Sequence, residues 1–226
     1  ELPLRIDGDR LILATVVERA ENMDHIIRAR DLDTGEIVWE SQPFRAQFGD
    51  EPMAQPEISR IPSVQTPLRS RVRMNELTYN FDGSMMTLFE RSGRALAIDL
   101  SDGRTLWTRT ELMDIVHDID ANAGLIVVAG SNLVGDQWFD VNHRPEDRDA
   151  VVHVLEARTG RTLHTRREPV AVRWVRVTPE AEAILGLEDG IVSLDAHRGM
   201  VRWRNEAEFL SSSRTGLPMA GKFIVR

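Results

Sequence analysis

Apolar side chains along this chain gather in short runs of strand length, and the same local order of apolar, acidic, glycine and aromatic positions returns again and again. Residues 10–17, 84–90, 125–131 and 183–187 are rich in β-branched or large apolar residues and predict β-strands. Each is followed by a second segment, at 29–39, 97–107, 154–164 and 193–203, and these four superpose on one glycine. An acid stands four residues before that glycine every time: Asp31 before Gly35, Asp99 before Gly103, Glu156 before Gly160 and Asp195 before Gly199. Four residues after it come Trp39, Trp107, His164 and Trp203, so three of the five tryptophans share one register. The order has a physical reading. An alternating strand leads to an acid that bonds the amides of a turn, a glycine supplies the positive φ, and a second short strand returns. Together with the preceding apolar run, each repeat predicts a sheet of about four antiparallel strands, and the chain predicts an all-β fold.

The spacing of the glycines organises the whole. Successive intervals are 68, 57 and 39 residues, and a four-stranded propeller blade occupies roughly 40 residues. The shortest interval is therefore a bare blade. The first surplus falls at 41–69, which carries Pro43, Pro52, Pro56, Pro62 and Pro67 without periodicity, an irregular loop between blades. The second falls at 133–150, a polar loop between the second and third strands of the third blade. The prediction is a β-propeller with blades near 2–40, 71–110, 112–168 and 169–206. Leu2, Pro3, Gly8, Arg10 and 11–13 are echoed by Leu217, Pro218, Gly221, Lys222 and 223–225, so 207–226 is expected to begin a further blade. An unpaired sheet edge is something proteins avoid, and the expectation is a part of a larger ring of about six to eight blades.

Composition narrows the partners. Twenty-eight Lys and Arg against 36 Asp and Glu give a net charge of −8, which argues against tracking phosphates, and no nucleic acid is expected. Zero cysteines remove disulfides, thiolate nucleophiles and Cys-type zinc sites. No apolar run reaches the roughly 18 residues of a membrane helix, so any membrane association is expected to run through a partner. Hydrophobic residues make up 42%, enough for a substantial core.

The repeats resemble the tryptophan-docking repeat, A-x-D-x-x-T-G-x-x-x-W, of the PQQ-like β-propellers, a group that includes quinoprotein alcohol dehydrogenases and non-enzymatic outer-membrane assembly lipoproteins. Ala29, Asp31, Thr34, Gly35 and Trp39 match it in full; the second repeat has Asp102 for Thr, the third has Val154, Glu156 and His164, and the fourth has Ser193 and Arg198. The resemblance implies that the aromatic rings pack between adjacent blades, which would bury Trp39, Trp107 and Trp203 with His164 in the place of the missing Trp. It also implies a periplasmic or cell-envelope setting. Quinoproteins of the group hold calcium or a lanthanide on Glu, Asn and Asp beside the quinone, with a catalytic Asp and commonly adjacent cysteines. No such set matches in motif context here, and no cofactor is expected.

Other candidates are weaker. Asp136, Asp140, Asn142, His143, Glu146, Asp147 and Asp149 make an oxygen-rich loop suited to a hard cation, but without EF-hand spacing it reads as a solvated loop. Trp138 and Phe139 in that loop are possible anchors for a partner, or fold back on the blade. Histidines at 25, 117, 143, 153, 164 and 197 show no metal-ligand spacing. His117 and Asp118 suggest acid–base chemistry only until one notes that neighbours on a strand face opposite ways. The triplet 211–213 of serines lacks a nucleophile-elbow context. An aspartate box of the sialidase type is excluded by register, since its aromatic lies three residues after Gly. Arg166, Arg167, Arg173 and Arg176 read as a solvated face or, less readily, a seat for an acidic partner. The function expected is a non-catalytic scaffold that binds proteins through loops 41–69 and 133–150. The alternative is a fragment of a quinoprotein-type dehydrogenase or a ligand-sensing propeller domain.

Overall fold

The computed structural model describes residues 2–19, 22–45, 72–74, 77–90, 93–110, 112–113, 115–132, 150–206, 216–219 and 222–225. Every helix or strand among them is a β-strand. The chain divides into two units, each built of antiparallel sheets with their own core.

The first unit comprises Glu1–Glu90 and Ala95–Thr108. Its first sheet runs β1 (Leu2–Asp7), β2 (Arg10–Arg19), β3 (Asn22–Asp31) and β4 (Ile37–Glu40) in sequence order, each strand antiparallel to the last. A short β5 (Phe44–Arg45) also pairs with β3. The second sheet contains β6 (Val72–Met74), β7 (Leu77–Asp82), β8 (Met85–Glu90), β9 (Ala95–Asp99) and β10 (Thr105–Arg109). Both sheets carry five strands where four were expected, and β5 lies inside the stretch read as irregular loop. The cause is a mismatch of lengths. β3 has ten residues and β4 only four, so the edge of β3 at Asp24 and His25 lies beyond β4 and is paired by Arg45 and Phe44, covering an otherwise open edge.

The second unit comprises Arg91–Arg94 and Arg109–Arg226. It holds a four-stranded sheet of β11 (Ile115–Asn122), β12 (Leu125–Ser131), β13 (Ala150–Glu156) and β14 (Thr162–Glu168), and another of β15 (Val172–Val177), β16 (Glu182–Leu187), β17 (Gly190–Asp195) and β18 (Met200–Glu206). Finally β19 (Gly216–Met219) and β20 (Lys222–Val225) form a two-stranded sheet, with Pro218 opposite Phe223.

The cores follow from the alternation. In the first unit Ile12, Ala29 and Trp39 of the first sheet cluster with Tyr79, Phe81, Met86 and Ile98 of the second. In the second unit Leu125, Val127 and Val152 meet Val175, Leu185 and Val192. β8 and β12 are buried at every position, which is why they read in the sequence as continuous apolar runs rather than as alternating strands.

Candidate functional site

The acid-to-glycine turn is built the same way four times. The glycine N–H donates to the carbonyl of the acid four residues back: Gly35 to Asp31 at 2.9 Å, Gly103 to Asp99 at 2.8 Å, Gly160 to Glu156 at 2.8 Å and Gly199 to Asp195 at 2.7 Å. All four glycines have positive φ, from 68° to 76°, where a side chain is strained. The acid closes the turn from inside. Asp31 Oδ1 accepts the N–H of Asp33 at 3.0 Å and of Thr34 at 2.8 Å, Asp99 Oδ1 accepts that of Ser101 at 3.0 Å, and Asp195 Oδ1 accepts those of His197 and Arg198, both at 3.1 Å. Glu156, one methylene longer, takes the Thr159 hydroxyl at 2.6 Å. These bonds favour the charged carboxylate. Thr34, through its N–H and hydroxyl, holds Asp31 below the usual carboxylate range. The Thr159 hydroxyl does the same for Glu156. For Asp195 burial pushes upward, and the Arg198 N–H with the Arg202 guanidinium outweighs it.

Within each unit the aromatic of one sheet rests on the turn of the next. Trp39 is 8% exposed and its indole N–H donates to the Leu100 carbonyl at 3.0 Å. Its ring lies so close to Gly103 that a Cβ there would sit 2.4 Å from Cε3. His164 repeats this with a smaller ring: it covers Gly199, where a Cβ would lie 3.0 Å from Cγ, and its Nε2 bonds the His197 carbonyl. Donation to a carbonyl fixes the proton on Nε2. Trp107 is buried at 9% exposure. Trp203 is not. Expected to be buried, it is 42% exposed, on a strand whose seven residues are all exposed. Among the described residues β18 is an edge strand, paired with β17 alone.

A second arrangement escaped the sequence reading. Asp118, Asp120 and Asn122 alternate along β11 and together bond the backbone of β15. Asp118 Oδ2 accepts the Val175 N–H at 2.9 Å, Asp120 Oδ2 accepts the Val177 N–H at 2.8 Å, and Asn122 Nδ2 donates to the Val177 carbonyl at 3.2 Å. One face of β11 thus serves the main-chain groups of β15 as a strand would. The signal was the i, i+2, i+4 polar spacing. Of the four arginines read as a solvated face, Arg167 is exposed and Arg173 is 56% exposed though paired with Glu188, while Arg166 pairs with Glu168 and Arg176 with Asp118 at 3.2 Å.

The histidines serve structure in the same way. His117 Nε2 lies 3.1 Å from Ser131 Oγ, and His153 Nδ1 lies 2.9 Å from Thr165 Oγ1. Burial pushes both His25 and His153 below the usual imidazole range. Among the described residues no three acidic or histidine side chains converge on a point where a metal ion would sit. Trp138, Phe139, the acidic residues at 136–149, the serines at 211–213 and loop residues 46–69 lie outside the described residues. No helix among the described residues is long and apolar enough to cross a membrane.

The turn, repeated with its aromatic seat on antiparallel sheets, has relatives. The sequence profile of the family described as outer membrane protein assembly factor BamB matches residues 23–216. The chain belongs to this family. Among solved structures BamB from Moraxella catarrhalis is similar with a TM-score of 0.54 and 15% identity, over 99% of this chain and 53% of that one. The computationally designed Ika8 protein gives 0.57 and 8% identity, over 98% of this chain and 66% of the design. Sqt1 of Saccharomyces cerevisiae gives 0.50 and 10% identity, over 94% and 55%. No curated protein matches in sequence. The fold is therefore that of a PQQ-like β-propeller, its sheets are blades, and the chain spans about half the length of the BamB it resembles.

Proposed function

We propose that this chain is a non-catalytic BamB-type scaffold of the cell envelope that binds protein partners involved in outer-membrane assembly. The observation that carries this reading is the family match across residues 23–216. The structure supplies a physical reason to favour a platform over an enzyme. His117 and Asp118, the pair that suggested acid–base chemistry in the sequence, bond Ser131 on the neighbouring strand and the Val175 N–H of the next blade, and Arg176 pairs with Asp118. In this reading the blades lie near 2–40, 71–110, 112–168 and 169–206, with 207–226 opening a further one. Partner contact is assigned to loops 41–69 and 133–150, with Trp138 and Phe139 as the apolar anchors, because loops on a rigid scaffold are where binding concentrates.

The test is a deletion strain complemented either by the native protein or by a version in which 136–147 is replaced with a Gly/Ser linker of equal length. The reading expects loss of outer-membrane β-barrel proteins on deletion, rescue by the native protein, and poor rescue by the loop replacement. Unchanged outer-membrane proteins, together with alcohol-dependent dye reduction by the purified protein given PQQ and calcium, would contradict it.

A further inference from the structure

The chain contains four Asp–Gly steps and no Asn–Gly, at 7–8, 82–83, 102–103 and 189–190. The nitrogen that follows an Asp can attack its side-chain carboxyl, and glycine, with no Cβ in the way, hinders that attack least. The structure sorts the four steps by what the glycine amide is doing. In the hairpins β1–β2 and β7–β8 the Asp is the last strand residue, with Asp7 opposite Arg10 and Asp82 opposite Met85, and Gly8 and Gly83 are the first of two turn residues. Both have positive φ, 62° and 57°, and the residues after them, Asp9 and Ser84, do not, which is the type II′ pattern. In such a turn the bonded N–H belongs to the fourth residue, so the amides of Gly8 and Gly83 take no part in closing it. At 189–190 the same dipeptide is shifted by two places: Gly190 is the fourth residue, opposite Leu187, and its amide closes the turn. At 102–103 the Gly103 N–H donates to the Asp99 carbonyl at 2.8 Å.

Room follows the same division. Gly8 and Gly83 are exposed and have nothing within 4 Å of where a Cβ would lie. Gly103 and Gly190 are buried, and a Cβ there would meet the Trp39 ring at 2.4 Å and the Asn205 carbonyl at 2.2 Å. The carboxylates do not make this division, since Asp7 pairs with Arg5 at 3.3 Å, Asp102 accepts the Arg104 N–H at 2.9 Å and Asp189 pairs with Arg204 at 2.8 Å. What separates the steps is the amide and the space around it. Attack also requires the Asp side chain to swing over the next nitrogen, and the rung beside a hairpin tip opens locally for far less than global unfolding costs.

We propose that Asp7 and Asp82 are sites of spontaneous isoaspartate formation and that the fold protects Asp102 and Asp189 from it. The glycine nitrogen bonds to the side-chain carboxyl carbon of the protonated Asp, the amide proton and the carboxyl hydroxyl leave as water, and a cyclic imide remains. Water then adds at the imide carbonyl that came from the main chain, and that C–N bond breaks. The chain now runs on through the former side chain, and the old main-chain carbonyl is a free carboxylate. No oxidant or cofactor is consumed. The product places one extra carbon in the main chain of a turn that fixes the register of β1 with β2, or of β7 with β8. Its free carboxylate is the methyl acceptor of isoaspartyl methyltransferases that use S-adenosylmethionine. The inference is independent of the scaffold reading, since it concerns the backbone of two hairpins.

The experiment ages the folded 226-residue chain in warm neutral buffer beside the same chain unfolded in guanidinium chloride. Peptide mapping with electron-transfer fragmentation tells isoaspartate from aspartate at each of the four steps, and methyl transfer from labelled S-adenosylmethionine by a purified isoaspartyl methyltransferase counts the total. In the unfolded chain all four steps should isomerise at comparable rates. In the folded chain isoaspartate is expected at Asp7 and Asp82 about tenfold faster than at Asp102 and Asp189, the factor that tying up one amide in a hydrogen bond gives. The double variant Asp7→Glu with Asp82→Glu, whose longer side chains close the ring poorly, should remove most of the methyl acceptance of the aged folded chain. Equal rates at all four steps in the folded chain, faster reaction at Asp102 or Asp189, no change at Asp7 and Asp82 while the unfolded control reacts, or methyl acceptance undiminished in the double variant would each overturn the proposal.

Discussion

A glycine in the repeat turn answers two separate demands, and the turns differ in which they make. Gly35 and Gly103 both need positive φ, which costs a side chain about 1–2 kcal/mol. Only at Gly103 does the Trp39 ring also stand where a methyl would go. Gly103→Ala should therefore destabilise the fold clearly more than Gly35→Ala. Likewise Trp39→Ala, which empties a buried site, should cost about 3–5 kcal/mol, whereas Trp203→Ala should cost at most about 1 kcal/mol, as for other surface changes. Urea midpoints of dilute protein check both orders. The turn was legible in the sequence because Asp, Gly and Trp at fixed offsets describe a local geometry. The exposure of Trp203 was not, because burial depends on what lies opposite, and the residue itself is the same as Trp39.

The pH dependence also belongs to single residues. His25 and His153 are held below their ordinary range, so the unfolded chain binds protons first; their contribution is complete above about pH 6.5 and is lost as pH falls through the lower folded values. Asp31, Glu156 and Asp195 are depressed too, so theirs is complete above about pH 4 and is lost further down. A plot of urea midpoint against pH should fall in two stages on acidification. A midpoint that rose between pH 6.5 and pH 5 would reverse the assigned signs.

At the scale of elements, the union of β11 and β15 rests on side chains acting as main chain. Asp120→Ala removes the carboxylate that accepts the Val177 N–H and should cost about 1–3 kcal/mol, in the range for losing a buried hydrogen-bond partner. Asp118→Ala removes the acceptor of Val175 and leaves the charge of Arg176, whose side chain is 17% exposed, with the Val175 carbonyl in place of its carboxylate, so a loss of about 3–5 kcal/mol is expected. Adding Arg176→Met should recover part of that loss, and a strictly additive double variant in chemical denaturation would remove the ion pair from the explanation. Strands such as β8 and β12 were readable from the sequence because burial at every position leaves a continuous apolar run. β5 and β6 were not, because two or three residues carry no period. The β11 ladder was missed for a different reason: alternating polar residues usually mean a wet face, and here they face the next blade.

For the whole molecule, glycine spacing gave the architecture before any coordinates, since a repeat of sheets constrains the fold more tightly than any single strand does. Function was less legible. A platform is defined by what it meets, and the loops assigned to that role have no periodic signal. Their assignment makes a direct claim about where partners touch. A photo-crosslinking amino acid placed at Trp138 in the cell envelope, with a control at Arg158 in the exposed third turn, tests it. The account predicts an ultraviolet-dependent adduct with a component of outer-membrane assembly from position 138 and none from 158. Adducts of equal yield from both positions, or none from 138 while the protein is present and folded, would contradict it.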